Sequence, residues 1–188
     1  MKRLLLILIL TLSFQTLAKA DGIKEFEIEG MSIGDSLLDF FSRDEIENNK
    51  TYEVEQKNNH SVARYYIRKN TNEYDFITIS FKTNDKKYKI IEISGFLNLD
   101  FKKCKKKRNK INEELEPLFK KLLKQETGDV EHFLDKSTTV NHIAYWFKDD
   151  EYISLTCYDW SEKSGYDDQL RLEIYKSEYM EWLESLDS

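Results

Sequence analysis

Residues 74–96 read YDFITISFKTNDKKYKIIEISGF, and this stretch decides the fold. Apolar and polar residues alternate from Tyr74 to Lys82 and again from Tyr88 to Phe96, which is the period of a β-strand. Only a short polar stretch around Asn84-Asp85 joins the two segments, which is too short for the helix that a parallel crossover needs. The stretch therefore predicts an antiparallel hairpin.

The same alternation occurs on both sides of this hairpin, again with turn-like connections. The further predicted strands are Tyr52–Gln56, Val62–Arg68, Val140–Phe147, Tyr152–Trp160 and Leu170–Tyr175. Strands joined by short turns meander in an antiparallel sheet.

Helical signals lie before and between the two groups of strands. Ser-x-x-acid motifs at Ser32 and Ser42 have the spacing of capping boxes and predict helices over Ile33–Phe41 and Arg43–Asn49. A helical apolar period predicts a longer helix over Asp100–Gln125.

Pro117 predicts a kink or break in this long helix near Glu113–Glu116, and Ser177 is a candidate cap for a final helix. The fold expected from the whole pattern is α+β, with an antiparallel meandering sheet and helices packed on one side in a single domain.

The N-terminus has the three parts of a secretory signal peptide. Met1-Lys2-Arg3 is basic, Leu4–Leu12 is almost entirely apolar, and Ala18-Lys19-Ala20 supplies small residues for cleavage between Ala20 and Asp21. The apolar run is too short for a membrane anchor. The expectation is a signal peptide over residues 1–20, a domain over residues 21–188, no transmembrane anchor after cleavage, and a periplasmic or secreted location.

The composition of residues 21–188 favours a compact acidic protein. The chain holds only 6 Gly and 1 Pro, and its formal net charge of −6 becomes −9 without Lys2, Arg3 and Lys19. So negative a surface disfavours nucleic acid as a partner.

Cys104 and Cys157 are the only cysteines of the chain. In an oxidising compartment they are expected to form a disulfide, which the chain-entropy model values at ~4 kcal/mol. The alternative is a pair of unrelated buried thiols.

Gly34-Asp35-Ser36-Leu37 resembles the first block of the GDSL serine esterases and lipases. That resemblance implies a catalytic set of Ser36, Asn84, Asp129 and His132. The sequence departs from the family pattern, because Lys82 stands where the third block has glycine and because the strands alternate instead of forming a buried parallel sheet. An esterase of this type would therefore be degenerate.

The three histidines lack the close spacing of a zinc site, and neither a metal nor another cofactor is predicted. Tyr158-Asp159-Trp160 ends a predicted strand with aromatic residues and is a candidate binding surface for a ligand or a protein. The segment Lys102–Lys110 carries seven basic residues in nine. It favours either a patch for anions or a membrane surface, or charge complementarity with the acidic segment Asp149–Ser188.

Two resemblances imply a setting in the bacterial envelope. The segment Phe26–Leu38, the lone Cys104 in a basic helix and the segment Cys157–Ser161 resemble those of small exported proteins of marine Pelagibacter-like alphaproteobacteria. This resemblance implies a Gram-negative envelope setting and no catalytic residues. Gly30-Met31-Ser32, ahead of a helix and strands, is similar to the helix-pair-plus-sheet module of outer-membrane assembly lipoproteins and of β-lactamase inhibitor proteins.

The function expected from these observations is non-catalytic binding of an unknown protein or small ligand in the envelope. The alternatives are the degenerate esterase, using Ser36 and His132, and a structural or assembly factor of the cell envelope. The sequence leaves the oligomeric state open.

Overall fold

The computed structural model describes residues 22–53, 62–67, 73–132, 135–148, 151–179 and 182. Within these residues the chain forms eleven strands. They are Glu27–Ile28 (β1), Met31–Ser32 (β2), Lys50–Glu53 (β3), Val62–Ile67 (β4), Phe76–Lys82 (β5), Ile90–Asn98 (β6), Leu123–Glu126 (β7), Val130–Glu131 (β8), Thr139–Trp146 (β9), Tyr152–Asp159 (β10) and Gln169–Tyr175 (β11).

Nine of these strands form a single antiparallel sheet, which confirms the predicted α+β class. The strand order is β3-β4-β5-β6-β11-β10-β9, with β7 and β8 both pairing along the outer side of β9. The first meander (β3 to β6) and the second meander (β7 to β11) are joined through their last strands, β6 and β11. Ile93 of β6 pairs with Ile174 of β11 at this central seam.

One face of the sheet carries the main apolar core, and we call it the packed face. Ile79, Ile93, Ile174, Ile153 and Tyr145 occupy neighbouring positions across five strands and are buried on this face. The N-terminal segment adds further buried residues to the same core, including Phe26, whose ring lies 4.9 Å from that of Phe119.

The opposite face, which we call the polar face, carries the alternate residues of the same strands. Its central positions include Ser80, Glu92, Ser94, Ser154 and Glu173, and all five side chains are buried. A C-terminal helical segment starts at Ser177, and its Tyr179 and Trp182 pack with Tyr152 and Tyr175 at one end of this face. The sheet thus buries polar groups on one face and apolar groups on the other.

Two α-helices lie between strands, at Arg43–Asn49 (α1) and Phe101–Leu115 (α2). The predicted capping box at Ser42 is present, because the Ser42 and Glu45 side chains each bond the other residue's backbone N–H. Asp100 caps α2 by accepting a hydrogen bond from the Lys103 N–H at 2.9 Å. The start of α1 was therefore predictable from local capping chemistry.

The prediction that α2 would extend to Gln125 is wrong, and so is the predicted helix over Ile33–Phe41. α2 ends at Leu115, which confirms the predicted break near Glu113–Glu116 ahead of Pro117, but residues 123–126 form strand β7 instead. In the earlier stretch only Leu37–Asp39 forms a 3₁₀ turn. The Asp35 carboxylate does bond the Ser32 N–H, at 2.8 Å, but this contact closes a turn after β2.

Cys104 of α2 and Cys157 of β10 lie at disulfide distance, with their Cα atoms 5.8 Å apart. Both residues are fully buried on the packed face, with Leu170 beside them. The pair therefore fixes α2 against the middle of the second meander.

The predicted signal peptide and its cleavage site between Ala20 and Asp21 lie outside the described residues. None of the helices in the described ranges is long and apolar enough to cross a membrane.

Candidate functional site

Four aromatic side chains gather where β10 ends, and we call them the aromatic cluster: His132, Tyr158, Trp160 and Tyr166. The rings of Tyr158 and Trp160 are stacked, 5.0 Å apart and nearly parallel. The His132 ring lies 5.5 Å from the Trp160 ring, and the Tyr166 ring lies 5.0 Å from it. Tyr166 is 67% exposed, so the cluster reaches solvent.

The alternation of β10 positions the two stacked rings. Tyr158 and Trp160 are two residues apart and share one side of the strand, whereas Asp159 between them points to the other side and is exposed. The proposed binding residues are therefore divided, with the two aromatic residues in the cluster and Asp159 outside it.

Asp135 holds together the two loops under the cluster. Its carboxylate accepts hydrogen bonds from the hydroxyls of Thr138 and Ser161, both at 2.7 Å, and from the Ser137 hydroxyl at 2.5 Å. These bonds hold the pKa of Asp135 well below its ordinary value. The backbone N–H of Trp160 donates separately to the Asp168 carboxylate at 3.0 Å. Hydrogen bonds thus hold the loops that carry the rings.

Burial sets the protonation of the polar atoms in the cluster. It lowers the pKa of His132, which disfavours imidazolium at neutral pH, and it raises the pKa of the Tyr158 phenol. The Trp160 Nε1–H is buried and has no hydrogen-bond partner within the described part of the chain. The cluster is therefore uncharged, with one unused donor.

A buried charge network lies next to the cluster on the polar face. The Arg171 guanidinium contacts the Glu173 carboxylate, lies 3.6 Å from that of Glu92, and covers the Phe96 ring at 5.4 Å. Burial alone would lower the pKa of Arg171, but the charges of Glu173 and Glu92 outweigh it and keep the guanidinium protonated. The charge of Arg171 also lowers the pKa of the Tyr158 phenol, against the larger effect of burial, so the network adjoins the cluster.

Glu92 is the innermost member of this network, with its side chain 0% exposed. Its carboxylate accepts hydrogen bonds from the hydroxyls of Ser80, at 2.5 Å, and of Ser94. The carboxylates of Glu92 and Glu173 fix the Arg171 guanidinium in place, because a charge in a largely buried network needs such partners. The arginine is thus a rigid neighbour of the aromatic rings.

The predicted catalytic residues do not come together. The Ser36 hydroxyl donates to the Lys87 carbonyl at 2.6 Å, close to the β5–β6 turn that holds Asn84. Asp129 binds Lys105 at 2.8 Å, and His132 lies beside Trp160 at the opposite end of the sheet. The two ends are separated by the length of β6, about 30 Å at 3.3 Å per residue.

Two open grooves lie away from the aromatic cluster. One, of about 790 Å³, runs beside α2 and is lined by lysines and leucines. The other, of about 730 Å³, lies between α1 and β4 and is lined by Phe41 and Tyr65 among others. Among the residues that the structure describes, no group of three or more His, Cys, Asp or Glu side chains is arranged to hold a metal ion.

Comparisons of the chain with protein-family models, with curated proteins and with solved structures found no match.

Two members of the cluster, Tyr158 and Trp160, were predicted as binding residues from the sequence, whereas His132 and Tyr166 were not. Tyr158 and Trp160 are neighbours in the chain, so their shared face follows from strand period. Strand register and loop closure bring His132 and Tyr166 into the cluster and place Arg171 next to it. The useful signal for Arg171 was its place among alternating residues of a strand, where a charged side chain faces away from the apolar core.

Proposed function

We propose that this is an exported, non-catalytic binding protein that contacts a partner protein through the aromatic cluster. Export is supported by the N-terminal sequence and by the Cys104–Cys157 pair, which suits an oxidising compartment. The observation that carries the binding proposal is the stacked Tyr158–Trp160 pair beside Arg171.

A protein partner fits this surface better than a small ligand. Trp, Tyr and Arg are the residue types that dominate binding energy at protein interfaces. Their side chains here are held by stacking and hydrogen bonds, so binding orders few groups and loses little entropy. Small-molecule sites are concave, whereas the two grooves described above lie elsewhere.

We do not propose the esterase, because Ser36 and His132 lie at opposite ends of the sheet and a nucleophile must reach its base. A role in envelope assembly is compatible with a partner-binding surface, and identifying the partner would separate it from other binding roles.

Site-directed photocrosslinking in cells of the source organism tests the proposal. A benzoylphenylalanine is placed at Tyr166 in the cluster and, as a matched control, at Phe40, which is 42% exposed. We expect a discrete protein adduct from position 166 and none from position 40. Adding Trp160→Ala should weaken binding about tenfold or more and remove the adduct.

Two results would contradict this function. One is the absence of any adduct from position 166 when the exported chain is abundant. The other is an adduct that persists unchanged with Trp160→Ala, since the stacked pair would then contribute nothing to binding.

A further inference from the structure

The exposed lysines of α2 lie on one side of the helix. At about 100° per residue the five exposed lysines fall within an arc of about 140°. The buried residues Cys104, Arg108 and Asn112 occupy the opposite side and face the sheet. We call the exposed set the lysine face: Lys102, Lys103, Lys106, Lys107 and Lys110.

Most of this charge is not neutralised by the rest of the chain. Lys103 pairs with Asp100 at 2.7 Å, but the other four make no ion pair within the described ranges. Glu113 of α2 and Glu73 lie beside these lysines, but the five lysines outnumber the two carboxylates and leave the face positive. Lysines at i and i+4, such as Lys103 and Lys107, also repel each other and destabilise the helix. Apart from the Lys103–Asp100 pair, the lysine face therefore adds no ion pair that stabilises the described part of the fold.

An apolar strip lies directly beside the lysine face. The groove of about 790 Å³ is lined by four lysines, two leucines, two glutamates and one asparagine: Lys103, Lys106, Lys107, Lys110, Leu97, Leu99, Glu73, Glu113 and Asn109. Both leucines are partly buried at the end of β6. A cationic wall next to an apolar floor matches an anionic amphiphile, in which a charged headgroup adjoins hydrocarbon.

The residue types favour lipid over protein or nucleic acid. Lysine is a compact, mobile point charge that suits a diffuse negative surface, whereas arginine is favoured for bidentate recognition. Among the described residues that line the groove, none is an aromatic residue that could stack on a base or anchor a protein partner. Clusters of four to eight basic residues are typical of binding to anionic phospholipid.

We propose that the lysine face and the Leu97–Leu99 strip bind anionic phospholipid at a membrane surface. This site is separate from the aromatic cluster, which belongs to the polar face, whereas α2 covers the packed face. A chain bound through α2 presents the cluster away from the bilayer. Either site can therefore fail its test without affecting the other.

The test is vesicle co-sedimentation of the exported chain, with its N-terminus sequenced. The vesicles contain phosphatidylcholine alone or with about 30 mol% phosphatidylglycerol, at about 0.05 M and about 0.5 M salt. We expect binding only with phosphatidylglycerol and only at low salt. Changing all five lysines to Gln should weaken binding by about 3,000-fold, since each lysine contributes about fivefold and the five factors multiply.

The matched control changes five other exposed lysines to Gln and so has the same net charge: Lys86, Lys87, Lys89, Lys120 and Lys121. Gln keeps helix propensity, and circular dichroism checks that both variants are folded. The proposal requires that the control variant binds like the parent.

Four outcomes would overturn it: no binding at low salt, equal binding without phosphatidylglycerol, equal loss in both variants, or full competition by polyglutamate. The last result would assign the face to an acidic protein. Displacement by about 10 mM inorganic phosphate, below the ionic strength that screens such charges, would also overturn it in favour of a soluble anion.

Discussion

Gly95 occupies a position of β6 where the structure leaves no room for a side chain. A Cβ placed there would lie 2.4 Å from the ring of Tyr74, far inside van der Waals contact. We therefore expect Gly95→Ala to lower the free energy of unfolding by about 1–3 kcal/mol. Urea denaturation measures the change, with Gly128→Ala as the control because no atom lies within 4 Å of a Cβ there.

The Gly95 prediction has an internal check. If the clash with Tyr74 is the cause, Gly95→Ala should cost much less in a Tyr74→Ala background. An equal loss in both backgrounds would show that the ring of Tyr74 is not responsible.

Asp135 makes the stability of the loops pH-dependent. Its pKa is lower in the folded chain than in the unfolded chain, because Ser137, Thr138 and Ser161 donate hydrogen bonds to its carboxylate. Such a group stabilises the fold above its unfolded pKa, about 3.9, and loses this contribution as the pH falls towards its folded value. Asp135→Asn should therefore destabilise the protein at pH 7, with a difference from the parent that narrows in acid.

Urea midpoints of the parent and of Asp135→Asn at pH 7 and pH 3 measure this effect. Asp159→Asn is the control, since the exposed Asp159 carboxylate makes no hydrogen bond among the described residues. A pH-independent difference between Asp135→Asn and the parent would rule out the carboxylate as its origin.

At the scale of elements, the Cys104–Cys157 pair joins a helix to a strand over a separation of 53 residues. Changing both residues to Ala should lower the free energy of unfolding by about 4 kcal/mol, because the unfolded chain regains the entropy of the open loop. Urea denaturation of the double variant and of the parent measures the loss. The parent with excess reductant should approach the double variant, and an unchanged midpoint in reductant would contradict a disulfide.

The elements that the sequence predicted well are those whose local pattern decides their structure. The strands of the 74–96 stretch begin and end within two residues of their predicted limits, since each alternation follows one buried face. The helix over Ile33–Phe41 was wrong because the Asp35 carboxylate accepts a hydrogen bond from the Ser32 backbone N–H and closes a turn with the same spacing as a cap. Strand β7 was missed because an edge strand, paired on one side only, keeps little of the alternation.

The candidate site was less predictable than the fold, because the strand register decides which side chains meet in it. Tyr158 and Trp160 share a face through local period, but Arg171 reaches Tyr158 only because Tyr158 pairs with Gln169 in the adjacent strand. Register depends on how the whole sheet is assembled. A single sequence therefore indicates which residues face one way, but not which residues meet.

At the scale of the whole molecule, the central seam pairs residues that are about 70 to 80 positions apart in the chain. Contacts so distant in sequence form slowly, because a long loop must close before they stabilise anything. As the chain emerges, the backbone groups on the inner edge of β6 stay unpaired until Gln169–Tyr175 has also emerged. The order in which the strands are made thus leaves a nascent chain that is most vulnerable to aggregation just before its last strand arrives.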